Sequence, residues 1–278
     1  MCRAASFASG LLLLLLCSWT AGFAHAQDKA ATAYSVAVIP VVPPSEIKRR
    51  WQPVLDQLGH DTGLHFRFRF YEDFQDFENG LAHDEADFAV MSPLQIWRQR
   101  QRYRPQLRGS LLMSGIVVVQ KSSPIRQLAD LQGRTLSLPD GDNHAANLFV
   151  LQTLKEQKIT PELRTVKTEN NALRSVIIGK ADAAIINNYT LKFVPPGMTE
   201  QLRIIHQTVD LPPPPIAASL RLPAEDLQKV KAAMLRLQET HPELLQSILM
   251  PDIVEADLER DYSIVGKLIP AEAGNGGR

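Results

Sequence analysis

Residues 35–63, SVAVIPVVPPSEIKRRWQPVLDQLGHDTG, constrain the architecture more than any other stretch of the chain. A short apolar strand runs into a turn holding Pro40, Pro43 and Pro44, and Ile47, Trp51, Val54, Leu55 and Leu58 then recur at the spacing of one helix face. Ser45 can cap that helix at its start and Gly59 can close it. A strand feeding an amphipathic helix has to bury its apolar side against that helix, so layered α/β structure follows.

The alternation continues along the chain. Strands are predicted at 34–39, 65–70, 88–91, 116–120, 135–138, 164–166, 183–186 and 203–207, with helices at 45–59, 73–83, 93–102, 125–131, 144–157, 170–178 and 190–193. This order predicts mostly parallel sheets flanked by helices. Residues 65–70 alternate strictly, which makes a half-buried strand with His65, Arg67 and Arg69 on the solvent side. Two units share one plan: His83-Asp84-Glu85-Ala86-Asp87 leads into the apolar run 88–91, and Gly179-Lys180-Ala181-Asp182 leads into 183–186. Duplicated lobes around a hinged cleft produce that plan, the first lobe from 33–114 and 209–270 and the second from 115–208. Residues 209–215 end in Pro212-Pro213-Pro214-Pro215, a stiff spacer suited to crossing between lobes. A helical tail at 224–239 and 242–249 follows, with Leu227, Val230, Met234, Leu235 and Leu237 in register, and the Gly-rich residues 271–278 are expected to fray.

Residues 1–26 carry Arg3, the leucine run 11–16 and Ala24-His25-Ala26, the order of a cleavable secretory signal. Both cysteines, Cys2 and Cys17, lie there, so cleavage leaves no thiol; lipidation at Cys17 is the rival, with Leu16 a poor residue to precede it. No later segment is long and apolar enough to span a bilayer, which places the mature protein in the periplasm without membrane insertion. Lys plus Arg and Asp plus Glu balance at 30 each, so nucleic acid is not an expected partner. The cluster Arg98, Arg100, Arg102, Arg104 and Arg108 reads as a solvated helix end. No phosphate loop, zinc helix or nucleophile elbow is present, and neither catalytic residue, cofactor nor metal ligand is expected.

Ligand groups are sought where strands end and helices begin. The turn from Pro40 to Ser45 and the exit Met91-Ser92-Pro93 are candidates in the first lobe, with Ser92 capping the next helix. In the second lobe Asn143 can cap and His144 can donate to an oxyanion or titrate near neutrality. Asn187, Asn188 and Tyr189 place three hydrogen-bonding side chains in a row after a strand. Each of these segments is equally readable as an ordinary turn.

Several pieces of this chain resemble the phosphate/phosphite/phosphonate solute-binding family of ABC transporters. They are residues 51–58, Gly80, Asp87-Phe88-Ala89 leading to Ser92-Pro93-Leu94, Val117-Val118-Val119, residues 128–134, Val176 and residues 179–184, and the likeness covers most of 35–190. The resemblance implies a two-lobed periplasmic binding protein of type II plan. It also implies no enzymatic activity and capture of a small polar solute, an oxyanion of the phosphonate or phosphite type, for an ABC permease. The chain departs from the family's phosphonate binders at three places. Asn143-His144-Ala145-Ala146 stands where they carry Ser-Thr-Ser-Gly, Thr168-Glu169-Asn170-Asn171 where a histidine is expected, and Asn187 or Asn188 where an acid is expected. The lost hydroxyls are donors to phosphoryl oxygens, and His144 would make anion binding pH-dependent. The alternatives are a ligand sensor docking on a membrane histidine kinase and a periplasmic metal-binding protein using the remaining histidines.

Overall fold

A computed structural model describes residues 33–139 and 145–267, so the expected signal with Cys17, the residues Asn143 and His144, and the tail 271–278 lie outside the described residues. In chain order, β1 (Ala33–Val38), α1 (Pro44–Thr62), β2 (His65–Arg69), α2 (Phe74–Ala82), β3 (Phe88–Val90), α3 (Pro93–Arg98) and β4 (Tyr103–Gly109) come first. Next are β5 (Gly115–Gln120), β6 (Thr135–Pro139), α4 (Ala145–Glu156), β7 (Glu162–Val166), α5 (Glu169–Ile177), β8 (Ala183–Asn187), α6 (Pro196–Thr199) and β9 (Leu202–Gln207). Then follow β10 (Pro215–Ser219), α7 (Ala224–Thr240), α8 (Pro242–Ser247), β11 (Ile253–Glu255) and α9 (Ser263–Gly266).

The strands form two sheets, of order β11-β4-β10-β3-β1-β2 and β7-β6-β8-β5-β9. Successive residues of a strand point to opposite faces, and both faces of each sheet are covered. Val36, Phe88 and Val90 meet Trp51, Leu55 and Met234 of α1 and α7 on one side of the first sheet. Ala37, Ala89 and Met91 meet Phe77, Leu94 and Tyr262 on the other. In the second sheet Val117, Leu136 and Ile185 lie under Val150 and Leu154 of α4, while Ile116, Ala184 and Ile186 lie under Leu173 and Val176 of α5.

Mostly parallel sheets were expected, and both are mixed. Pairs β1·β2, β1·β3, β6·β7 and β6·β8 are parallel, whereas β10 runs antiparallel to β3 and β4, and β5 antiparallel to β8 and β9. Topology supplies the reason. The chain leaves the first sheet through β4 into β5 and returns through β9 into β10, so outbound and inbound strands that pair must run in opposite directions.

The expected helix 93–102 stops at Arg98, so the arginine cluster is a helix end only at Arg98 and the turn that follows it. Arg104 and Arg108 lie on β4, where they alternate with the buried Tyr103, Pro105, Leu107 and Gly109. Pro105 interrupts that strand's donors, and the register with β10 shifts beside it, between Ile216 and Ala217. Helix α1 also differs at both ends: Pro43 is the N-cap with no side-chain bond, Ser45 lies inside the helix, and Gly63 at φ 71° closes it rather than Gly59.

The duplicated turns have a shared structural role. Asp87 accepts the Ser35 amide at 2.8 Å and the Ser35 hydroxyl at 2.7 Å, and Asp182 accepts the Thr135 amide at 2.9 Å. Each carboxylate therefore ties the strand it introduces to the start of the neighbouring parallel strand. Asp87 is thus a structural acceptor.

Arg108 reaches across to Asp261, with Nη2 donating to Oδ1 at 3.3 Å, and both side chains are largely buried. Burial opposes ionisation of Asp261, but hydrogen bonds from Arg260, the Asp257 region and Arg108 outweigh it and hold the carboxyl well below the usual range. A depressed carboxyl stabilises the fold fully above the unfolded value of about 3.9 and ceases to do so as pH falls through the folded value. Arg108→Ala is therefore expected to lower the unfolding free energy in urea by about 2 kcal/mol at pH 7. The stability lost by the parent protein below about pH 4 should be smaller in Asp261→Asn.

Candidate functional site

The two chain crossings are bound to one another. Met113 and Leu211 form an antiparallel bridge, with the Met113 amide donating to Leu211 O at 2.7 Å and the Leu211 amide to Met113 O at 2.5 Å. One step on, the Gly115 amide donates to Thr208 Oγ1 at 2.9 Å and the Thr208 amide to Gly115 O at 2.8 Å. The Tyr262 hydroxyl donates to Pro213 O at 3.1 Å.

Beside this clasp lies a cavity of about 260 Å³. The turn after β1 contributes Ile39, Val41 and Val42, and the first turns of α1 contribute Ile47, Arg50 and Trp51. The crossing segments add Leu111, Met113, Pro213 and Pro214, and the residues after α8 add Leu249, Met250 and Asp252. Tyr189, which follows β8 of the second sheet, completes the lining. The walls are almost wholly hydrocarbon, and their polar side chains are Arg50, Ser110, Tyr189 and Asp252.

Three apolar residues at this cavity are exposed: Val41 at 61%, Leu111 at 46% and Leu249 at 45%. Leu249 also has φ 63°, and among the described residues only Asp84 and Lys158 share a positive φ without being glycine. It sits just past α8, with its amide donating to Gln246 O at 3.0 Å, where helices usually place glycine. A side chain in that conformation costs about 1 kcal/mol relative to glycine.

Of the expected ligand residues, Tyr189 lines the cavity and Pro40 lies between two residues that do. Lys192 Nζ stands 4.7 Å from the Tyr189 ring centre. Ser45 is exposed in the first turn of α1. Met91 is fully buried in the first sheet's core. Ser92 closes a capping box, its oxygen accepting the Gln95 amide at 3.1 Å while its own amide donates to Gln95 Oε1 at 3.0 Å. Neither Met91 nor Ser92 is part of the cavity wall. Asn188 is committed to the crossing: its Oδ1 accepts the Ser114 amide at 3.1 Å and its amide donates to Ser114 O at 2.9 Å. Asn187 faces Gly115 across the sheet, and its Oδ1 is buried without a hydrogen-bond partner among the described residues. Asn143 and His144 lie outside the described residues.

Helix α4 begins tight against this region. A Cβ on Gly115 would lie 3.0 Å from the Cα, Cβ and O of Ala146, so any other residue there would have to push α4 back. Asn147, 3% exposed, donates from Nδ2 to Pro139 O at 3.0 Å, and its Oδ1 has no partner among the described residues. Leu148 and Phe149 of α4 pack against the apolar cluster of the first sheet. At the cavity's other side Arg50 Nε donates to Glu46 at 2.6 Å, and hydrogen bonds from Arg49 and then Arg50 hold the Glu46 carboxyl down at about 2. Glu169, in the segment where the family's histidine is expected, accepts a hydrogen bond from the Thr190 hydroxyl. Among the described residues no group of three His, Cys, Asp or Glu side chains is placed to hold a metal ion, and no helix is long and apolar enough to cross a membrane.

Sequence reasoning missed most of the cavity wall, because its residues come from six separate segments. The signal that could have found it is apolar side chains in turns, Val41-Val42 and Leu111-Leu112, where polar residues are the rule.

The family model described as "ABC transporter, phosphonate, periplasmic substrate-binding protein" matches residues 36–262. Among solved structures, a binding protein component of an ABC phosphonate transporter from Pseudomonas aeruginosa superposes with a TM-score of 0.69 at 16% identity, covering 88% of this chain and 91% of that one. PhnD1 from Prochlorococcus marinus, in complex with methylphosphonate, gives a TM-score of 0.72 at 13% identity over 85% and 96% of the two chains. A Xanthomonas citri protein bound to ATP gives 0.72 at 17% identity over the same shares. These likenesses establish the two-lobed periplasmic binding protein fold. No curated protein matches the chain.

The crossing should be sensitive to two substitutions. Gly115→Ala is expected to destabilise the protein by about 1–3 kcal/mol, since α4 must shift to admit the Cβ. Asn188→Ala strips the Ser114 amide of its acceptor and should cost about 1–2 kcal/mol. Urea denaturation of both variants checks these values.

Proposed function

The chain belongs to the phosphonate periplasmic substrate-binding protein family of ABC transporters, and on that premise we propose that it closes on a small solute at the junction of its two sheets and delivers it to a permease without reacting with it. The observation that carries this reading is the make-up of the cavity. Trp51 and Val41 come from the first sheet's side, Tyr189 from the second's, and Met113 and Pro213 from the crossings. A solute there touches both halves, so its binding favours the closed arrangement over an open one.

In this reading the lobes are 33–114 with 209–270 and 115–208, and the clasp at Met113 and Leu211 is the fixed end of the hinge. Tyr189 and the turn at Pro40 contact the solute directly. Asn187 and the stretch with Asn143 and His144 supply polar groups from the second lobe, while Ser45, Met91, Ser92 and Asn188 act through the turns and packing they hold. Residues 1–26 direct the chain to the periplasm. The neighbour solved with methylphosphonate supports a phosphonyl group as the recognised head.

Titration calorimetry with methylphosphonate, phosphite and phosphate tests the proposal. Binding of one of them is expected, with a rise in unfolding free energy of about 2.7 kcal/mol when ligand stands at a hundred times Kd. Tyr189→Ala should weaken it about tenfold, equivalent to about 1.4 kcal/mol. Affinity untouched by that substitution would remove the cavity from the solute's path.

A further inference from the structure

We propose that the 260 Å³ cavity is a subsite for an alkyl or aryl group carried by the solute, and that Leu249 is the residue that sets its selectivity. This deepens the functional reading above and rests on it. Solutes as small and polar as methylphosphonate or phosphite offer almost nothing for such walls to hold. An apolar cavity of about 150 Å³ already takes up benzene, so the space here accepts a chain of several carbons or one ring.

Two independent features point the same way. The first is exposure: Val41, Leu111 and Leu249 keep apolar side chains at the cavity where polar ones would be better solvated. The second is backbone conformation. At φ 63° glycine would fit Leu249's position without strain, yet a leucine stands there and its side chain lines the cavity. The other two non-glycine residues with positive φ among the described residues, Asp84 and Lys158, are polar, so neither adds apolar wall. Arg50 and Tyr189 provide the polar side chains toward which a charged head can turn while its tail lies against Trp51 and Leu249.

The test is calorimetry on protein purified from the periplasm, with methyl-, ethyl-, propyl-, butyl- and phenylphosphonate and with the matching carboxylates. Each added methylene is expected to lower Kd about fourfold until the space is full. Leu249→Gly should flatten that series while the melting temperature holds or rises, because glycine suits the backbone there; Leu249→Asn, which also tolerates it, should flatten the series further. A merely structural leucine would shift stability and leave the slope intact. Binding of methylphosphonate or phosphate with no gain along the chain overturns the subsite and keeps the proposed function. Carboxylates that bind as tightly as the matching phosphonates, with the same chain-length gain, keep the subsite and overturn phosphonyl recognition. Absence of binding in both series overturns both.

Discussion

The reciprocal amide bonds between Met113 and Leu211 are the constraint on which the rest of the structure depends. They hold two crossings of the chain side by side, so the pairing of outbound with inbound strands follows in both sheets. Mixed sheets are then unavoidable, and the ends of β1, β8 and the crossing segments are brought to one place. The cavity is the space those ends enclose, which makes it a product of topology and not of any local motif.

Neighbouring interactions reinforce the clasp from each side. Asn188 and Thr208 satisfy the amides of Ser114 and Gly115 where regular pairing ends, as buried backbone groups require. Gly115 lets α4 approach, and α4 in turn lays Leu148 and Phe149 against the first sheet's core. On the opposite side Tyr262 bonds to Pro213, while the adjacent Asp261 is held ionised by Arg260 and Arg108. Polar bonds thus fix the crossing on either side, while the cavity next to it stays apolar and open to a ligand.

The parts of the fold governed by local periodicity were legible in the sequence. The face of α1 named by Ile47, Trp51, Val54, Leu55 and Leu58 is the face that is buried, and the paired turns at Asp87 and Asp182 have equivalent roles. β4 and β10 were not legible. Tyr103-Arg104-Pro105-Gln106-Leu107-Arg108 is rich in charge and carries a proline, and Pro215-Ile216-Ala217-Ala218-Ser219 follows a proline run; partners from the far end of the chain make both into strands. The candidate site was legible only in part. Tyr189 could be named from its place after a strand, but Leu249 and Leu111 meet it only through long-range pairing, and nothing local announces that a leucine will take a glycine's conformation.

The family match over residues 36–262 gives the plan of the fold, and the apolar cavity lies at the junction of its two sheets. The proposed function places the solute in this cavity. A crystal structure of the protein grown with butylphosphonate tests it most directly. The carbon chain is expected within about 4 Å of Trp51, Tyr189 and Leu249. Ligand bound elsewhere, with those side chains in contact only with water, would contradict it.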